Sequence, residues 1–492
     1  MGISLFSTRL ILNALGATDF GIFSLVSSMI AMLTFLNNSM TQATQRFLNI
    51  KLGSGDEVSV FQVFNASVFL HLIIGVVVVI IIEAAGLYAF NSFLNIPYER
   101  LFAAKMVFHF AVISTFFSII SVPYDAIINA NEHMLFDSVV GIVQALCILA
   151  IAISIMHFGA DKLIFYGALT ALLMFFVLVV KRVYCRLQYQ ESKVEFKKYL
   201  FKKTVFEMLH YAKFTFISAV SSMIGFYGIP IIINSFFLPQ VNAAYGISGQ
   251  INGQISVFSS TMMRALNPQV TKSEGANNRQ RMINLTFIGS KFGVLLLAVF
   301  AIPFIIEAPY ILTIWLKNPP QYSVIFCQSI LVVSLISQLS LPLLNSINAV
   351  GKIKEISILS SIVYISVIPL LIMIYYFNGK PYYLYFLLIG SELILLTLRL
   401  YFSIKLANLR IKMFLSNVIR PLLIVLLLVL IFTIPVIFIM ENGVIRLFIV
   451  LSISTLTFFI TTFFCALSKE EKLGVIMLID KVKTKISFIS TS

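Results

Sequence analysis

The chain has 492 residues, of which 59% are hydrophobic and only 11% charged, against about 25% charged in an average soluble domain. That much apolar surface excludes a soluble globular protein and makes lipid the solvent. The net charge of +15 would point to nucleic acid in a soluble chain. Its distribution points instead to membrane topology, so no nucleic-acid partner is expected.

Apolar runs of about 20 residues predict helices near 1–15, 20–46, 61–83, 103–123, 138–157, 163–182, 212–237, 243–266, 284–308, 323–348, 355–377, 382–404, 418–440 and 445–467. The expected fold class is an all-α polytopic membrane protein of about fourteen transmembrane helices. The first run, Met1 to Gly16, is short for a bilayer core of about 30 Å at about 1.5 Å per residue. This favours either a segment partly outside the core or a start codon upstream of Met1. No cleavable signal peptide is expected there.

With the N-terminus placed inside, cytoplasmic segments collect most of the 35 basic residues. One loop alone carries Lys181, Arg182, Arg186, Lys193, Lys197, Lys198, Lys202 and Lys203. Outside loops hold only Arg100, Lys105, Lys162, Lys317, Lys380 and Arg446. Arg9, Lys213, Arg264, Lys291, Arg399 and Arg420 lie in helices or at their edges. Both termini are therefore expected in the cytoplasm. The four cysteines, Cys147, Cys185, Cys327 and Cys465, have no metal-ligand spacing and are read as packing residues. No metal site, cofactor or catalytic constellation is expected, and the chain reads as a non-enzyme.

The sequence repeats itself. At an offset of 222, Met40 meets Met262, Ala43 meets Ala265 and Gly53 meets Gly275. "IIEA" occurs at Ile81–Ala84 and again at Ile305–Ala308, and "PYDAIINA" at Pro123–Ala130 matches "PLLNSINA" at Pro342–Ala349. Six predicted crossings separate equivalent helices, which makes this a parallel repeat about an axis along the membrane normal. The expected organisation is an N-terminal lobe over 1–185, a basic cytoplasmic linker over 186–211 and a C-terminal lobe over 212–416. Two further helices over 417–468 and a cytoplasmic tail over 469–492 complete it. Transporters built this way bind substrate between two six-helix lobes and expose it alternately to each side.

Segment 20–46 ends in "FLNNSMTQATQRF", where Asn38, Gln42 and Arg46 share one helical face. Gln250, Gln254, Thr261 and Arg264 follow a similar stripe on segment 243–266. Unpaired polar side chains facing lipid are costly, so both stripes should face a shared water-filled cavity. Arg46 and Arg264 could also snorkel from helix ends, a reading that suits Arg9 less well. Together Arg9, Arg46 and Arg264 make a cationic cavity suited to an anionic ligand, with guanidinium forks matching phosphate oxygens. The amides beside them suit sugar hydroxyls.

Glu392, Lys291 and His71 are candidate ion-coupling residues. A static Glu392–Lys291 or Glu392–Arg399 pair, or a satisfied core histidine, is the structural alternative. Glu83 and Glu307 sit at outer helix ends in both repeats and are read as structural, and Asp125 as interfacial. Pro123, Pro230, Pro268, Pro342, Pro369 and Pro435 lie in or beside helices.

"TRLILNALGATDFGIFSLVSSMIAML", "FLNNSMTQATQRFLNIKLGSGD" and "VPYDAIINANEHM" resemble the bacterial polysaccharide or O-antigen (Wzx-type) flippases of the multidrug/oligosaccharidyl-lipid/polysaccharide (MOP) exporter superfamily. The resemblance covers essentially the whole chain, except for its shortened first helix. It implies a two-lobe fold and movement of an undecaprenyl-pyrophosphate-linked oligosaccharide from the inner to the outer leaflet of a bacterial inner membrane, in lipopolysaccharide or other surface-polysaccharide assembly. A relative that flips the peptidoglycan precursor uses cavity arginines on the corresponding helices, which implies pyrophosphate binding at Arg9, Arg46 and Arg264. The implied partners are the polyprenyl-pyrophosphate-linked oligosaccharide, the lipid bilayer and polysaccharide polymerase machinery. The rival within the superfamily is an ion-coupled multidrug extruder, whose cation-binding cavity should be acidic. A membrane-embedded glycosyltransferase would need large catalytic loops, which the chain lacks.

Overall fold

The computed structural model describes residues 34–92, 98–159, 161–237 and 239–473, with Ser7, Leu10, Ile11, Ala14, Leu15, Gly16, Asp19, Ile22, Phe23 and Val26. No strand occurs among the described residues. The helices are α1 (Thr34–Ser54), α2 (Glu57–Ser92), α3 (Leu101–Ala130), α4 (Met134–Ser154) and α5 (Lys162–Gln188). A second series follows as α6 (Lys202–Phe236), α7 (Pro239–Gly275), α8 (Arg279–Leu316), α9 (Ser323–Val350), α10 (Lys354–Tyr376) and α11 (Tyr383–Ala407). Two more, α12 (Arg420–Ile439) and α13 (Val444–Thr461), close the order. A π-helical turn at Leu415–Ile419 leads into α12, and another at Thr462–Ala466 follows α13.

Eleven described helices are long and apolar enough to cross a membrane, so the chain is a multi-pass membrane protein. Many outrun their apolar cores. The 36 residues of α2 span about 54 Å at about 1.5 Å each, well beyond a hydrocarbon layer of about 30 Å. Likewise α6 begins at Lys202, so the expected 186–211 linker is largely structured. All six prolines singled out in the sequence lie inside helices.

The internal repeat is visible in the element boundaries. Helices α2, α3, α4 and α5 begin at residues 57, 101, 134 and 162, and α8 to α11 begin at 279, 323, 354 and 383. The turns repeat as well. Gly55 and Asn277 both adopt left-handed backbone, at φ 71° and 56°, and so do Glu132 and Gly351, at 62° and 88°. Such backbone favours glycine and asparagine, so Glu132 keeps the turn against its own preference.

The chain forms two compact units. Unit 1 is Met1–Met223 with Thr271–Asn278 and Ile353–Ile358. Unit 2 is Ile224–Val270, Arg279–Lys352 and Leu359–Ser492. In unit 1, α3 packs against α1, α2 and α5, burying Val107 and Phe108 with Val78 and Leu163. In unit 2, α9 packs against α8 and α11 in the equivalent way, and α12 and α13 add to α8. Phe287, Leu343, Val418 and Val425 fill that core. Within lipid, close packing rather than the hydrophobic effect holds helices together, so large apolar side chains such as Phe386 and Phe438 stay outside, 66% and 85% exposed.

Ion pairs tie the helix ends. In unit 1 Arg100 binds both Asp19 and Asp161, the latter at 2.7 Å. Asp161 also caps α5 by accepting from the backbone N–H groups of Leu163 and Ile164 at 3.0 and 3.2 Å. In unit 2 Arg446 forks onto Glu307 through Nε and Nη2, each at 2.9 Å. Arg446 was expected in an outer loop. It lies instead in the first turn of α13, 6% exposed, because the fully buried Glu307 needs a counter-charge.

Also in unit 1, the end of α1 crosses the end of α7. A Cβ at Gly53 would stand 2.1 Å from the Lys272 carbonyl oxygen, and one at Gly275 2.2 Å from that of Ile50. Only glycine permits an approach this close.

Candidate functional site

Two polar stretches stand apart from the apolar eleven. Among the described residues, α7 is a long helix not apolar enough to count as a membrane span, and α1 is the polar end of a segment whose apolar part, over 20–33, lies mostly outside the described residues. They occupy equivalent places in the repeat, each preceding the apolar helix that starts at 57 or 279. A polar helix face in a bundle of this size needs a surface other than lipid to face.

In α1, Gln42 is exposed and Arg46 half-buried on the same face, one turn apart. The Arg46 guanidinium lies over two rings, 5.2 Å from the centroid of Phe47 and 4.8 Å from that of Tyr211. Glu274 lies within electrostatic reach of it. Stacking of this kind orients a guanidinium while leaving its in-plane N–H groups to bond elsewhere. Asn38 belongs to α1, but its side chain lies outside the described residues, as does Arg9 altogether.

In α7, Gln250, Gln254, Thr261 and Arg264 are all exposed and fall on one face, as the sequence spacing predicts. Arg264 makes no ion pair among the described residues. Its helix is also wired inward within unit 2. Asn252 Oδ1 accepts from Ser334 Oγ at 2.5 Å, and Asn267 Oδ1 from Asn345 Nδ2 at 2.6 Å. These amides fix the rotation of α7 and so fix which face presents Gln250, Gln254 and Arg264. The described part of α1 contains no carboxylate, and Glu274 near the end of α7 is the one that helix carries.

His71 sits on α2, fully buried. Its Nδ1 lies 2.8 Å from the Ser67 carbonyl oxygen, while Nε2 has no hydrogen-bond partner. Ser67 Oγ in turn meets Thr44 Oγ1 of α1 at 2.9 Å, so a chain of buried polar groups joins His71 to the helix of Gln42 and Arg46. This makes it more than an isolated core histidine.

The two static pairs weighed for Glu392 are not formed. Lys291 donates to Glu471 at 2.6 Å and to the Ala466 carbonyl at 3.0 Å, tying α8 to the segment after α13. Arg399, 2% exposed, donates to Ser340 Oγ at 2.5 Å and Tyr364 OH at 3.1 Å rather than to Glu392. Glu392 is left with one buried carboxylate oxygen, Oε2, that has no hydrogen-bond partner. Glu83 pairs with His109 at 2.9 Å, and Asp125 with Lys181 at 2.6 Å. Tyr211, Asn252 and Asn345 were not foreseen. Each acts through a partner distant in sequence, and no spacing rule marks such a contact.

No protein-family model matches the chain, and no curated protein does. Solved structures do. An outward-facing multidrug resistance MATE family transporter of the MOP superfamily superposes with a TM-score of 0.70 at 12% identity, over 82% of this chain and 92% of that one. The Vibrio cholerae MATE transporter VcmN in its bent form gives 0.64 at 14% identity, over 83% and 98%. A Pyrococcus furiosus MOP superfamily transporter, described as having a binding pocket of reversed polarity that suggests a different function, gives 0.65 at 13% identity, over 82% and 92%. At such identities the likeness establishes the fold, which is that of the MATE transporters, and nothing finer.

Proposed function

We propose that this MATE-like fold serves an alternating-access flippase that moves a polyprenyl-pyrophosphate-linked oligosaccharide from the cytoplasmic to the outer leaflet of a bacterial inner membrane, with both termini in the cytoplasm. The observation that carries this reading is the pair of repeat-related polar faces, one on the described part of α1 and one on α7. They present Gln42, Arg46, Gln250, Gln254 and Arg264, with no carboxylate among the exposed groups of those faces. The guanidinium groups are suited to bind pyrophosphate oxygens and the amides to bind sugar hydroxyls, while a polyprenyl tail stays in lipid. Arg9 and Asn38 join this set on sequence grounds. A ligand drives the change of access only through different affinities for the two states. His71, Glu392 and Lys291 are the candidates for ion coupling, with the Thr44–Ser67–His71 chain giving His71 a route to α1. Polysaccharide polymerase machinery is the partner that would consume the product.

An ion-coupled multidrug extruder fits the fold equally, and the multidrug transporter among the structural neighbours favours it. Cationic drugs would call for carboxylates where this chain offers arginines. The experiment uses a strain that makes its own lipid-linked oligosaccharide and lacks this gene. Accumulation of the intermediate on the cytoplasmic leaflet, cleared by the restored gene but not by Arg46→Ala or Arg264→Ala at equal protein level, supports flipping. No accumulation together with altered sensitivity to cationic drugs moves the protein to the extruder class.

A further inference from the structure

Beyond the polar faces, unit 1 carries a second concentration of positive charge with a shape. A cleft of about 230 Å³ opens where α5 ends, lined by Tyr124, Arg182, Arg186, Ser192, Lys193 and Glu195. It is too small for a drug-sized ligand, whose pockets start near about 300 Å³, but suits a headgroup. Three cations and one carboxylate line it.

The cations are not neutralised locally. The nearby carboxylates Asp125 and Asp137 turn to Lys181, at 2.6 and 3.8 Å. Arg182, Arg186 and Lys193 make no ion pair among the described residues. Cations at a helix C-terminus are ordinarily explained by the helix dipole, which covers Arg186 in the last turn of α5 but not Arg182, one turn earlier. Nor does it cover Lys193, which reaches the cleft from the loop beyond.

That loop is held in one shape by a buried side chain. Asn65, fully buried, donates from Nδ2 to the Lys193 carbonyl at 3.0 Å and accepts at Oδ1 from the Glu195 backbone N–H at 2.8 Å. It thus grips the backbone on both sides of Val194. Ser192, 4% exposed, donates to the Tyr189 carbonyl at 2.8 Å, and Phe61 stacks on Tyr199 at 4.8 Å. The backbone of this wall is thereby preorganised, and the exposed Arg182, Arg186 and Lys193 line the cleft beside it.

We propose that this cleft binds a phosphate group, with Arg182 and Arg186 forking onto its oxygens and Lys193 adding charge from the loop beyond α5. The basic-residue bias puts this end of α5 at the cytoplasmic leaflet, so the phosphate comes from an anionic phospholipid headgroup or from soluble phosphate.

The test takes the full-length protein in phosphatidylcholine nanodiscs and titrates either a short-chain phosphatidylglycerol or inorganic phosphate, reading the thermal shift. Phosphatidylglycerol is expected to stabilise the protein, with apparent affinity falling about tenfold in Arg182→Gln/Arg186→Gln and unchanged in Lys197→Gln/Lys198→Gln outside the cleft. The same pattern with inorganic phosphate keeps the site and assigns it a soluble ligand. Equal weakening in both double variants means diffuse attraction to a basic loop and overturns the proposal, as does no response in either. Should the glutamine pair fail to fold, Arg182→Lys/Arg186→Lys keeps the charge and removes the forks. Undiminished affinity in that variant also overturns the proposal.

Discussion

Arg446 and Glu307 form a two-pronged ion pair, 2.9 Å on each prong, with the carboxylate fully buried. Removing one partner strands the other charge, at a cost of about 3–5 kcal/mol, whereas removing both can be close to neutral. Glu307→Leu alone should therefore lower the melting temperature in detergent sharply, and Arg446→Met should restore most of the loss. A double variant no better than the worse single one would show that the pair does not act as a unit.

Asp161 gives stability a pH dependence outside the spans. Partial burial opposes its charged form, but hydrogen bonds from Arg100 and the Ile164 and Leu163 amides, with the Arg100 charge, outweigh it and hold the carboxyl below its ordinary value of 3.8. A depressed carboxyl contributes fully above its unfolded value and loses that contribution as pH falls through the folded one. The gap in melting temperature between wild type and Asp161→Asn should stay constant from pH 7 to about 4 and close below that. Asp161→Ala should lose about 1 kcal/mol more at neutral pH through the helix cap.

Arg46 depends on the ring of Tyr211, 4.8 Å away, for its orientation. Tyr211→Phe keeps the ring and should leave transport near normal. Tyr211→Leu removes a contact of about 0.5–2 kcal/mol and should weaken both folding and any transport that uses Arg46. Assaying the two variants side by side at matched protein level separates ring from hydroxyl.

Gly53 and Gly275 each admit a carbonyl where a methyl would stand. Gly53→Ala and Gly275→Ala should each force the two helix ends apart. Cysteine cross-linking between Ile50→Cys and Lys272→Cys should then fall in either variant, and by similar amounts. A cross-link unaffected by the methyl would contradict the contact.

The apolar runs made the eleven described spans legible, because in lipid each backbone segment must satisfy its own hydrogen bonds and a long apolar run has almost no choice but a helix. The duplication was legible because Gly53 and Gly275 keep one backbone requirement, a close helix approach, in two places. The α7 stripe was readable from spacing, since Gln250, Gln254 and Arg264 obey helical periodicity. Partners across space were not. Lys291 was weighed against Glu392, yet it binds Glu471 on a segment 180 residues away. Arg446 looked like a loop residue, because nothing local records that Glu307 is buried beside it. Short-range periodicity fixes faces; only the packed helices fix neighbours.

The glycine crossing has the logic of an isologous interface. Ile50 and Lys272 are related by the same offset as Gly53 and Gly275, so each glycine meets the counterpart of the residue three places before itself. Residue i meets j′ while j meets i′, the signature of a twofold contact between identical subunits. A chain of half this length could make the crossing with a second copy of itself. Fusion into one chain frees the two sides to differ, and they already have: a lysine with a Glu132 partner stands where the first copy keeps an isoleucine.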